Sequence, residues 1–291
     1  MTSEIIQLKE LINSYKLFEE EILRLSSKIE PLLQENILNE TIHFISVVNN
    51  FDTYNRCLGN NPYVSTPSNI KQVIFDNTKE NICIPKRYNS FIEMYDFSKD
   101  SWFVFCHCDW EPMDDINITL KNLDKNCIYG PIGSRLIEYN SKVMRQLTGF
   151  CYERRRDGSG FRTLGKIDNK LNLADTFDCQ AIIVHSSLIK KYNLKFDENL
   201  KWDLYSEDFS IFAKENYQIP SYALNYRCCH WSGYHTCMPK SYYESLEYIN
   251  KKYPNSKYAG TMSIIGGKKI EEMKQKEKIL FNLRNKIKKD I

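Results

Sequence analysis

The chain has 291 residues, 42% of them hydrophobic and 13% aromatic, with a formal net charge of +3. That length supports one large α/β domain or two small ones, and the aromatic content excludes a disordered chain. The near-neutral balance makes no case for a nucleic-acid partner, and no apolar run reaches the ~18 residues of a membrane span.

The mixed-charge start, Met1 to Glu10, lacks the apolar stretch of a signal peptide. The expectation is a cytoplasmic protein, with peripheral contact at the inner face of the membrane as a second option. The ten cysteines are expected to be reduced, small apolar fillers of buried strands. Cys106-His107-Cys108 and Cys228-Cys229 fit no usual zinc spacing.

Taken in chain order, Ile5, Leu8, Ile12, Tyr15, Ile22, Leu25 and Ile29 recur at helical steps behind a Ser3 cap. They predict a helix over 3–30, within an N-terminal extension 1–40. Thr41 to Val48 is β-branched and apolar, a buried strand. A short helix over 53–58 follows, then a strand over 71–75, a helix over 89–95 and a strongly apolar strand over 102–106. Asp114 and Asp115 open a helix to about residue 123. Further on come a strand at 181–184, a helix at 206–216, a strand at 221–226 and an aromatic-rich helix at 240–252. Residues 150–175 read as an irregular loop, with Glu153-Arg154-Arg155-Arg156 as either a solvated run or a phosphate-meeting lid. The strand–helix alternation predicts an α/β fold with a parallel, doubly wound sheet. The segment 268–291 carries nine Lys/Arg and four acids, a basic C-terminal helix over 268–289 in a unit 261–291. It would meet an anionic bilayer or pack in a homo-oligomer through the terminal helices.

Polar residues follow the strands at Asn49, Asp76 and Asp109, where open α/β sheets bind ligands. Three groups stand out. Asp109-Trp110-Glu111 places two carboxylates one residue apart on an extended segment, suited to a hard divalent cation such as Mn²⁺ or Mg²⁺. Glu207-Asp208 opens a helix, as capping acids or as a general base. His230 and His235 flank Gly233, suited to a metal or a phosphate.

In this order, these elements resemble a family 2-type bacterial glycosyltransferase with the GT-A fold, especially the subgroup whose third strand ends in His-x-Asp. The stretches that carry the resemblance are 44–52, 73–77, 87–91, 103–111, 130–135, 175–184, 196–212 and 230–233. The resemblance implies a GT-A catalytic domain over 41–260, a Rossmann-like sheet with helices on both faces, flanked by the terminal helices. It implies a nucleotide-sugar donor near Asn49, Asp52 and Asp76, with Arg87 and Asn89 at the diphosphate or sugar. It places the cation at Asp109 and Glu111, with His230 or His235 at a C-terminal position. Asp178 would lie near a sugar, and Asp208, with Glu207 beside it, would be the catalytic base.

The implied reaction is inverting transfer to a glycan or lipid-linked glycan acceptor, in surface polysaccharide or capsule synthesis. Asp-Trp-Glu replaces the family's Asp-x-Asp, and Tyr205-Ser206 replaces its usual Tyr-Asp. No Gln-x-x-Arg-Trp motif is present, so a processive synthase is not expected. Two alternatives remain: a sugar nucleotidyltransferase, which would want a glycine-rich loop where Asn49 to Asp52 stands, and a non-catalytic carbohydrate-binding or scaffold protein.

Overall fold

The computed structural model describes residues 37–155, 160–167, 170–232 and 238–266. The helix expected over 3–30, the basic helix over 268–289 and His235 lie outside the described residues.

Strands β1 (Thr41–Val48), β2 (Ile70–Asp76) and β3 (Ser101–His107) form the parallel half of the main sheet, with β1 in the middle. Val48 pairs with Asp76 and Val47 with His107, so all three strands end at one edge. Between them run α1 (Phe51–Tyr54), which passes into a π-helical turn over 55–59, then α2 (Pro62–Ser65) and α3 (Ile84–Met94). The chain continues through β4 (Trp110–Pro112), α4 (Ile116–Leu120), β5 (Ile128–Gly130), β6 (Ile132–Tyr139) and β7 (Lys142–Arg154). Next come β8 (Phe161–Gly165), β9 (Asn172–Ala174), β10 (Thr176–Phe177), β11 (Ala181–His185) and α5 (Ser186–Tyr192). It closes with α6 (Tyr205–Tyr217), β12 (Ser221–Ala223), β13 (Cys228–His230), α7 (Lys240–Lys252), β14 (Tyr258–Ala259) and β15 (Ile264–Ile265).

The main sheet has the order β2-β1-β3-β11-β5-β12-β9. Its buried strands read as unbroken apolar runs because both faces are covered. Within β3, Phe103 and Phe105 face a core built from Tyr88, Phe91 and Ile92 of α3, Phe209 of α6 and Leu246 of α7. Trp102, Val104 and Cys106 face the opposite core, with Tyr54, Cys57, Leu58, Ile116 and Leu120. Helices therefore cover both faces, as expected.

The sheet is mixed, not wholly parallel: β11 runs antiparallel to both β3 and β5. An all-apolar run such as Ala181–Val184 does not encode its own direction, so composition could not reveal the reversal. A second sheet, β10-β6-β7-β13-β4 with β8 on β7, replaces the loop expected over 150–175. Its β6–β7 hairpin turns through Asn140 and Ser141, at φ 48° and 58°, a two-residue turn matched to strand twist. The ribbon is exposed on both faces over 138–146, so no burial constraint imposed a period-2 pattern on its sequence. The nine described cysteines are free thiols.

Candidate active site

The cleft lies at the edge where β1, β2 and β3 end. His107 is the last residue of β3, and Cys108-Asp109 turns the chain into β4. The Trp231 N–H donates to the Asp109 carbonyl at 2.9 Å, drawing the end of β13 onto that turn. Three potential ligand atoms converge there, one each from His107, Asp109 and His230, all within 4.8 Å of one another. His107 Nδ1 lies 3.8 Å from Asp109 Oδ1, and His230 Nε2 lies 3.3 Å from it.

The Tyr205 hydroxyl lies 2.6 Å from His107 Nε2 and 3.1 Å from the Cys179 carbonyl. When its proton goes to the carbonyl, the neutral His107 ring donates from Nε2 and turns its Nδ1 lone pair toward the Asp109 carboxylate, an arrangement that a cation between them would satisfy. Two imidazoles and one carboxylate suit a first-row divalent ion such as Mn²⁺. Without an ion, His230 serves part of that purpose. Burial presses its pKa down, but Asp109, with weaker help from Asp178 and Glu153, outweighs this and pushes it up to about 9.

The same cleft, about 230 Å³, is lined by Asp178, Trp202, Glu207, Tyr242, Thr261 and Met262. Glu207, in the first turn of α6, is 2% exposed. Its Oε2 lies 2.8 Å from the Ser206 hydroxyl, and its Oε1 lies 3.4 Å from Thr261 Oγ1. Thr261 gives its proton to the nearer Asp178 Oδ2 at 3.1 Å, so one threonine bridges the two carboxyls. Burial, then the nearby Asp178 charge, raise Glu207 to about 7, the range that suits a general base near neutral pH.

Of the expected site residues, Asp109, Asp178, Glu207 and His230 come together here. Asn49 sits alongside, its Oδ1 3.6 Å from the Cys108 thiol. Asp76 ends β2 at the same edge, held by the Thr78 N–H and hydroxyl, and Asp52 lies in the first turn of α1. Arg87 reaches the Asp76 carbonyl at 3.2 Å while pairing with Glu80 at 2.7 Å.

Three expected residues are placed elsewhere. Glu111 is outside the ligand group: the turn at 108–109 breaks the strand alternation that would have aligned it with Asp109. It accepts from Trp231 Nε1 at 2.7 Å and faces a separate cavity with Met113, Tyr152, Arg154 and Cys229. Asp208, about 100° around the helix from Glu207, accepts from Tyr253 Oη and Lys252 Nζ, each at 2.9 Å. Burial raises its pKa, against the pull of Lys252 and Tyr253. Asn89 is a buried clamp, donating to the Phe196 carbonyl at 2.9 Å and Glu198 at 3.0 Å and accepting from the Phe196 N–H at 2.9 Å. His107, Tyr205 and Thr261 join the cleft without being expected site residues. The His-x-Asp spacing was the available signal for His107, whereas Thr261 reaches the cleft only through the tertiary fold.

A second group, Glu40, Asp100 and His185, lies at the opposite end of the sheet. There the Ser187 N–H donates to His185 Nδ1 at 3.2 Å, so the neutral ring carries its proton on Nε2, facing Glu40 at 3.5 Å. Lys125 also pairs with Glu40. The group thus caps the strand starts with a Lys125–Glu40 ion pair, and His185 Nε2 makes no hydrogen bond there. Among the described residues, no helix is long and apolar enough to cross a membrane.

No protein-family model matches this chain, and no curated protein does. Among solved structures, it is similar to one of GalNAc-T7 with UDP, GalNAc and Mn²⁺, at 10% identity and a TM-score of 0.46. The match covers 74% of this chain and 49% of that one, so this chain spans about half the length of that relative.

Proposed function

We propose that the chain is a metal-dependent GT-A glycosyltransferase, its catalytic domain within 41–260, that moves a sugar from a nucleotide-sugar donor to a glycan hydroxyl. The observation that carries this reading is the convergence, on one cleft, of the His107–Asp109–His230 group and the buried Glu207–Asp178 pair. His107, Asp109 and His230 would hold Mn²⁺, a better fit than Mg²⁺ to a set with two imidazoles, and when bound it supplies positive charge against a leaving diphosphate. Asn49, Asp52, Asp76 and Arg87, along the strand-end edge, would contact the nucleotide.

Glu207 is the base. The acceptor hydroxyl is a weak nucleophile, and its proton passes to the Glu207 carboxylate as its oxygen bonds to the anomeric carbon. The bond to the donor phosphate breaks on the opposite face, which inverts the centre. Asp178 keeps Glu207 basic, and Thr261 holds both carboxyls. Transfer would be single-step and non-processive, of the family 2 type, onto a surface-polysaccharide or lipid-linked glycan at the cytoplasmic face.

The test is a panel of nucleotide sugars with Mn²⁺, followed by nucleoside diphosphate release and mass gain on glycan acceptors. Expected is release from at least one donor, abolished by a chelator. Release of inorganic pyrophosphate from a sugar phosphate and a nucleoside triphosphate would instead identify a nucleotidyltransferase.

A further inference from the structure

The base of the β6–β7 ribbon is packed into the second sheet, and its tip, residues 138–146, is exposed. Residues opposite each other in an antiparallel pair share a face, as do residues two apart. Ile137 is opposite Met144, and Tyr139 opposite Lys142, so these four share one face. Tyr139 is 62% exposed, Met144 47%, and Val143, on the other face, 58%. A two-stranded ribbon alone in water is marginal, and clustered exposed apolar groups mark interaction surfaces. Across residues 135–146 the charges are Arg135, Lys142 and Arg145 against Glu138 alone.

We propose that this ribbon tip docks on an anionic lipid bilayer. Tyr139 and Met144 would enter the headgroup region, and Lys142 would keep its ammonium at the phosphates while its stem lies along the apolar face. Charge favours a lipid surface over a second copy of the chain. Two ribbons meeting on this face would bring net-positive segments together, whereas an anionic bilayer complements them. The ribbon is also tied to the cleft: Arg145 Nη1 donates to the Gly260 carbonyl at 3.2 Å, beside Thr261 and Met262 of the cleft wall. Docking would hold the cleft mouth near the headgroups. The surface is distinct from the basic C-terminal segment and does not depend on the glycosyl-transfer reading.

The test uses the full chain with phosphatidylcholine vesicles, with and without about 30 mol% phosphatidylglycerol, read as a partition coefficient by co-sedimentation. Variants are Lys142→Glu and Tyr139→Ser/Met144→Ser, each checked for an unchanged thermal melt and for solution mass. Binding is expected only to the anionic vesicles. Lys142→Glu should weaken it about fivefold or more, and the apolar double variant about tenfold or more. No binding by the unmodified chain, or equal binding by all three proteins, would overturn the proposal. A loss of solution mass in the ribbon variants would overturn it in favour of a self-association surface.

Discussion

Replacing Glu207 with Gln should make the protein more stable and nearly inactive. The carboxyl is 2% exposed and titrates at about 7, against an ordinary 4.5. In the unfolded chain the proton leaves near the ordinary value, whereas the folded protein keeps it until about 7. Between those values the native state binds more protons, so stability falls as pH rises through the interval, and the loss is complete above it. The shift corresponds to on the order of 3 kcal/mol. Glutamine occupies the same volume without the charge, so at pH about 8 the variant should melt about 5 °C or more above the unmodified protein, with little difference near pH 4. Nucleoside diphosphate release should fall about 10²–10⁴-fold. In the unmodified protein kcat/KM should fall below about pH 7 as the proposed base is protonated. A variant that turns over normally, or that melts lower at pH about 8, would refute the assignment of Glu207 as a buried base.

Other expectations follow from the same geometry. Asp109→Ala should abolish thermal stabilisation by Mn²⁺, which at 100 times Kd should be ~2.7 kcal/mol, while Glu111→Gln should leave it intact. Lys252→Met strips Asp208 of its ammonium partner, leaving a buried carboxylate, and should cost about 3 kcal/mol or more in denaturant unfolding. Asn89→Ala should cost about 2–3 kcal/mol by leaving the Phe196 amide and carbonyl unpaired, with nucleotide affinity unchanged by calorimetry.

The parts of the fold legible in the sequence were those where burial imposed a pattern. Thr41–Val48, Ala181–Val184 and the helix at Lys240–Lys252 stand where their apolar residues predict. Strand direction carries no such mark, and neither does an exposed ribbon, so the reversal of β11 and the β6–β7 hairpin were not visible. At the site, strand ends announced Asp109 and Asp76, because parallel strands deliver their last polar residues to one edge. Orientation within a motif was less readable. Glu207 and Asp208 are adjacent in sequence but face a cleft and the half-buried Lys252 respectively, a choice made by α7 far along the chain. Glu111 shows the same limit, since a single turn cancels the alternation on which its alignment depended.

Strand β13 is only three residues long, yet His230 and Ser232 open on the cleft while Cys229 and Trp231 open on the cavity behind it. A slip of one residue would present an indole to Asp109 in place of an imidazole and erase the ligand group. The ladders to β4 and β7 set that register, and two bonds from Trp231 reinforce it: its N–H to the Asp109 carbonyl and its indole to Glu111. Glu111, remote from the ligand group, acts there through an acceptor oxygen that Gln would also supply, and the cleft is braced by a side chain that never enters it.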